Sequence, residues 1–218
     1  MSSKTKIIFL FQLLILLGCS PTTKQDSWLV ESKLPPTCSI ANAARAGMAV
    51  VFNTRFRNER LTGDPYLGWP LSNRKRTLEE LYKYSTHVVE LPDLGLQKVA
   101  INPLDDDDVI ASYNKSAQEI GAKYLLLLHA AGGIKESGNY FQILYLTIIG
   151  AFIFPGNEGE GQAILQALLY APGSTKPCYV METEGYSSQY RPYAFFDEAS
   201  LYVKARDRAF EIFLGNLK

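Results

Sequence analysis

An apolar run from Ile7 to Leu17, broken only by Gln12 and preceded by Lys4 and Lys6, decides which part of this chain is available to fold. It is far shorter than the ~20 residues of a permanent membrane-spanning helix. A basic start and a short apolar core together have the form of an export signal, which is removed from the finished protein. The fold must therefore be built from the residues after it. The whole chain has 218 residues, and at roughly 100–200 residues per domain that allows one domain and a tail. With 47% hydrophobic and 20% charged residues the chain can bury a core. Its 22 basic and 22 acidic residues exclude the uniformly basic surface that a phosphate-backbone binder needs, so nucleic acid is not expected as a partner. Loss of the signal takes Lys4 and Lys6 with it and leaves a slight acidic excess, so attraction to anionic lipid is no anchor either.

Leu16-Leu17-Gly18-Cys19 closes the apolar run with aliphatic residues, a small residue and a cysteine. In this it resembles the lipobox of bacterial lipoproteins. The resemblance implies cleavage before Cys19, lipidation of its thiol and acylation of its new amino group, and several acyl chains together anchor stably. Ser20 stands where an Asp would imply retention in the inner membrane, so the resemblance points to the inner leaflet of the outer membrane, facing the periplasm. The division that results is a signal peptide at 1–18, a lipidated cysteine with a flexible tether at 19–36, and a globular domain at 37–218. The tether reading rests on a polar composition, Pro21, Pro35 and Pro36, and no sustained periodicity. Two further cysteines remain, Cys38 and Cys178. In an oxidising compartment they are compatible with one disulfide or with two separate buried thiols.

Along the domain, Met48 to Asn53 has the β-branched, apolar character of a buried first strand. A long connection containing Gly63-Asp64-Pro65 and Gly68-Trp69-Pro70 precedes Thr77-Leu78-Glu79-Glu80, whose capping-box form predicts a helix from Thr77. His87 to Leu91 reads as a short strand stopped by Pro92. Val109, Ile110, Tyr113, Ala117 and Ile120 predict a helix over 105–120, ended by Gly121. The strand Lys123 to Leu128 comes next, with Gly132-Gly133 and Ser137-Gly138 as punctuation. Tyr140 to Phe154 is the most apolar stretch after the signal and reads first as core strand, with a buried helix or a membrane-dipping segment as the other readings. Gly156 to Gly161 reads as a flexible turn, Ala163 to Tyr170 and Tyr179 to Met181 as strands, and Tyr202, Ala205, Ala209, Ile212 and Phe213 as one face of a terminal helix stopped by Gly215. The order predicts a single two-layer α+β domain: a mixed sheet with about three helices packed on it.

Chemistry-bearing patterns are sparse. His87 and His129 stand in no zinc spacing and read as strand-edge histidines, and no cofactor motif is present. Asp105 to Asp108 lack the alternation and closing Glu of a calcium loop and read as the acidic first turn of a helix. Ser72-Asn73-Arg74-Lys75 has the Ser-x-x-Lys form without its companion Lys-Thr-Gly, and no Gly-x-Ser-x-Gly elbow occurs. Tyr186, Tyr190, Tyr193, Phe195 and Phe196 form an aromatic cluster that would contact a partner if exposed, or staple the last helix if buried.

The run Leu144-Tyr145-Leu146-Thr147-Ile148-Ile149-Gly150, ending in Pro155-Gly156, resembles the central motif of the bacterial rhombotarget lipoproteins. Ala46 to Val51 resembles their first strand. Gly121 to Leu126 resembles a helix-to-strand step shared with the α/β domains of curli-secretion and TolB amino-terminal-like envelope lipoproteins. That resemblance offers no catalytic residues. Two functions stand as expectations. The first is a non-catalytic envelope lipoprotein, held to the membrane through acyl chains on Cys19, that binds an envelope protein or assembles with itself. The alternative is a periplasmic cell-wall hydrolase or transglycosylase with Glu182 or Asp197 as acid, which would need paired carboxylates about a cleft.

Overall fold

The computed structural model describes residues 23–33, 38–56, 69–92, 107–138, 157–191 and 198–217. They form an α+β domain around one mixed sheet. The strands are β1 (Thr23–Lys33), β2 (Met48–Phe56), β3 (Val88–Leu91), β4 (Tyr124–Gly138), β5 (Asn157–Tyr170) and β6 (Pro177–Arg191), in the spatial order β1-β6-β5-β4-β2-β3. The helices are α1 (Ile40–Ala46), α2 (Leu71–Tyr82), α3 (Asp107–Glu119) and α4 (Glu198–Asn216). β2 runs parallel to β3 and β4, while β4, β5, β6 and β1 are successively antiparallel.

The parallel end explains where the helices lie. From β2 the chain crosses through α2 to β3 on one side, then returns through α3 past β2 to β4 on the other. Two crossovers of the same hand that travel in opposite directions put their helices on opposite faces. Accordingly Ile110, Tyr113 and Ala117 of α3 pack on Ala49, Val51, Leu91, Leu125, Leu127, Leu168 and Tyr170, while α1, α2 and α4 share the face of Met48, Val50, Phe52, Leu126, Leu128, Leu165 and Met181. Strands covered on both sides lose the apolar-polar alternation, which is why 125–128 is a run of four leucines. Each large side chain buried there contributes roughly 1.5–3 kcal/mol.

α4 lies unusually close to the sheet. A Cβ added at Gly185 would fall 1.9 Å from the Ala205 carbonyl oxygen, one at Gly161 2.6 Å from the Leu201 carbonyl carbon, and one at Gly132 2.3 Å from the Tyr202 ring. Gly161 and Gly185 thus leave a trough in which the helix backbone sits, and Gly132 on the next strand makes room for the Tyr202 ring. Thr183, fully buried beside it, donates its hydroxyl to the Ala209 carbonyl at 3.1 Å. Trp69 closes the other end of the same layer, with its indole N–H on the Asn53 carbonyl at 3.0 Å and its ring edge-on to Phe52 and Phe213.

Several sequence expectations change here. Gly156 to Gly161 is no turn as a whole, because 157–161 already belong to β5, and β4 continues through Gly132-Gly133 to Gly138. Residues 23–33 of the expected tether form an edge strand paired along its length with β6, since a polar strand can be recruited by backbone hydrogen bonds that composition does not reveal. α2 starts at Leu71 behind Pro70, and Thr77, expected as its cap, lies inside the helix and donates to the Asn73 carbonyl at 2.8 Å. α4 passes through Gly215 to Asn216, and the short α1 has no counterpart in the periodicity. Gly121, at φ 80°, does end the α3 region. The stretch Tyr140 to Phe154 lies outside the described residues.

This packing makes two predictions. Gly185→Ala should cost about 1–3 kcal/mol through overpacking, whereas Gly215→Ala, with nothing within 4 Å of its new methyl, should be neutral or stabilising by up to about 1 kcal/mol; urea midpoints distinguish them. Burial, with a smaller contribution from Asp107, pushes the Tyr170 phenol up to about 12 from 10.0. The stability this gives is intact below pH 10 and is lost as pH rises toward 12, because the unfolded chain ionises first. Tyr170→Phe should therefore flatten the alkaline fall of the urea midpoint, with buried Tyr202, also shifted up, supplying the remainder.

Candidate functional site

Past the end of α3 the second face of the sheet changes character. One side-chain repeat beyond Val51, Leu127 and Leu168, the strand register sets Asn53, His129, Gln166 and Glu182 side by side on β2, β4, β5 and β6. Asn53 and His129 are buried, and the Asn53 Oδ1 lies 2.7 Å from the His129 Nδ1. An amide oxygen only accepts, so this contact assigns the imidazole proton to Nδ1. Gln166 donates its amide N–H to the Glu182 carboxylate at 2.5 Å. The next rows on β5 and β6 bring Ile164 opposite Glu184 and Gln162 opposite Tyr186. The strip grades from buried at β2 and β4 to half-buried at Glu182, Glu184 and Tyr186, with Gln162 exposed.

Chemically the strip is a row of hydrogen-bonding groups at the end of an apolar face. It offers two carboxylates, two amides and a phenol on a rigid pair of strands, and Glu182 is held in place by its neighbour. Sequence reasoning singles out Tyr186 and Glu182 separately and misses the row, because its members come from four strands and meet only through the register. His129, expected at a strand edge, sits in the middle of the sheet, while His87 is exposed just before β3. Among the described residues no three His, Cys, Asp or Glu side chains could hold a metal ion.

The other sequence-predicted residues fall elsewhere. Tyr190 belongs to β6; Cys19, Tyr193 and Asp197 lie outside the described residues. Ser72 and Lys75 are exposed on α2, with Lys75 3.9 Å from Glu79, and form no activated serine. Cys38 and Cys178 are joined by a disulfide with Cα atoms 6.0 Å apart. The bond lies at the corner where Lys33, the last residue of β1, pairs with Tyr179. It holds the start of β6 to the chain that has just left β1.

A cleft of about 280 Å³ between α2 and α4 is lined by Glu80, Tyr84, Glu211, Leu214, Gly215 and Leu217. It brings two carboxylates together, as a hydrolase would need. Each already has a cation: Lys83 on Glu80, and on Glu211 the Arg76 guanidinium, through bonds of 2.7 and 3.1 Å. The hydrogen bonds from Arg76 hold the Glu211 carboxyl below its usual range. A general acid requires the opposite shift.

No protein-family model matches the sequence, and no curated protein sequence matches it. Among solved structures, the chain is similar to a PelC dodecamer from Paraburkholderia phytofirmans, at 11% identity and a TM-score of 0.33 over 87% of this chain and 94% of that one. It is also similar to a putative neuraminyllactose-binding hemagglutinin homolog from Helicobacter pylori, at 9% identity and a TM-score of 0.38 over 86% and 92%. Likenesses this distant carry no argument about function.

The disulfide gives the prediction for this region. It spans a sequence separation of 140, and closing so long a loop restricts the unfolded chain, stabilising by about 2–5 kcal/mol. Reduction, or Cys38→Ala with Cys178→Ala, should lower the urea midpoint correspondingly, and dithiothreitol should have no further effect on the double variant.

Proposed function

We propose that this protein is a lipid-anchored lipoprotein of the bacterial envelope, without catalytic activity, whose domain faces the periplasm and binds an envelope protein or another copy of itself. The observation that carries the reading is the eleven-residue apolar run delivering Leu16-Leu17-Gly18-Cys19 immediately before the folded domain. A disulfide between Cys38 and Cys178 supports it, because such bonds persist in oxidising compartments. The binding surface is the second face of β5 and β6, where Glu182, Glu184 and Tyr186 stand half-buried on paired strands. Half-buried, positionally fixed polar groups lose little freedom when a partner covers them, which favours recognition. The cleft between α2 and α4 does not favour the hydrolase alternative, since Glu211 is kept ionised by Arg76.

Cys19→Ala should abolish incorporation of labelled fatty acid and leave the precursor uncleaved at that position. Labelling at the normal level would refute the anchor. In the lipidated protein, a photo-crosslinking residue in place of Tyr186 should trap a discrete envelope component or a second copy, and the same residue in place of exposed Lys75 should not.

A further inference from the structure

The bond between Cys38 and Cys178 closes residues 38–178 into a covalent ring that holds α1, α2, α3 and the strands β2 to β5. Tension between Cys19 and β6 therefore runs through β1 and the sulfur bridge, and it cannot draw out the ring between. β1 is the one described element that separates Cys19 from that bridge. The bridge stands on a boundary. Behind it lie Ser39, which caps α1, and Ile40, Ala43 and Ala44, all buried in the core; ahead of it lies a strand at the edge of the sheet.

β1 can leave without dividing the sheet. It pairs with β6 alone among the described strands, from Thr23 opposite Gln189 to Lys33 opposite Tyr179. β6 keeps β5 along its other side, and Gly185 and Thr183 keep it under α4. The next strand in the chain, β2, has no such freedom, because β3 and β4 flank it and its Val50 and Phe52 lie in the core. Edge elements open at lower free energy than the core they border, and water takes over the backbone hydrogen bonds they give up.

We propose that β1 is a releasable strap between the membrane and the domain, with the Cys38–Cys178 bond as its stop. This rests on the lipid anchor proposed above. With β1 paired, the four chain steps from Cys19 to Thr23 span at most about 14 Å. With β1 released, the nineteen steps from Cys19 to Cys38 span about 65 Å. Glu182 comes four residues after Cys178, so a partner held on β6 and a lipid held on Cys19 load the strap from its two ends. The domain then moves off the bilayer with its core intact, and no farther than the bridge allows.

Force spectroscopy on the lipidated, disulfide-bonded protein in a supported phosphatidylcholine bilayer tests it, with an azide-bearing residue in place of Tyr186 to take a DNA handle. Pulling should give one reversible lengthening, about 70 Å at most, and then none until the anchor leaves the bilayer. Lys24→Cys with Ser188→Cys, whose added bond joins opposite positions of β1 and β6, should lose that step. Cys38→Ala with Cys178→Ala should lose the stop and lengthen to on the order of 500 Å as the former ring is drawn out. An anchor that leaves the bilayer with no earlier step, or a locked protein that keeps the step, overturns the strap and leaves the anchor standing. Protein that does not bind the bilayer although correctly folded by circular dichroism overturns the anchor and the strap with it.

Discussion

The close seating of α4 on the sheet is the contact on which the rest of this architecture depends. A helix normally rides above a sheet on an intervening layer of side chains; here Gly161 and Gly185 remove those side chains and let the backbone itself approach, while Gly132 on the adjacent strand admits the Tyr202 ring. Dispersion contacts accumulate when surfaces touch at atomic distance. Polar groups of the helix come within reach of the sheet, as the Thr183 hydroxyl on the Ala209 carbonyl shows. α4 spans β1, β4, β5 and β6, so this one layer holds the antiparallel half of the sheet together. α2 is then tied to α4 by the Arg76–Glu211 pair on the surface and by Trp69 below it. Exposed as it is, the ion pair orients more than it stabilises.

The same feature shows what a sequence can reveal. Helix α3 was legible because its apolar residues recur at helical spacing and Gly121 ends it, and the terminal helix for a similar reason. The central strands announced themselves as short apolar runs. Their true lengths did not. Gly132, Gly133, Gly159 and Gly161 carry the local signature of turns, yet each occupies a strand position whose pairing with neighbours outweighs weak β-propensity. A glycine that makes room for a helix and one that turns a chain look alike until the helix is placed. β1 is the complementary case: apart from Trp28-Leu29-Val30 its sequence is polar, and it is paired along the edge of β6.

The polar row across the sheet was still less legible, for a reason of geometry. Asn53, His129, Gln166 and Glu182 are far apart in sequence and share nothing but a register position. Reading along a chain finds motifs that lie within one element; a row across a sheet is perpendicular to that reading. Its one local trace is a polar residue at the end of an apolar run, as in Leu125 to Leu128 and then His129.

The pairing of β1 with β6 also dictates an order of events in folding. Thr23 finds Gln189, and Cys38 finds Cys178, across most of the chain's length. Chains emerge amino terminus first, so the earliest strand waits with unsatisfied backbone until nearly the last one has been delivered. Contacts of such separation form slowly, because the loop they close must be ordered before they reward it. The parallel unit of β2, β3 and β4 can assemble from local crossovers in the meantime, leaving β1 and the Cys38 thiol as the latecomers. Until Gln189 and Cys178 have been made, the first segment of the domain is a strand without its partner and a thiol without its disulfide.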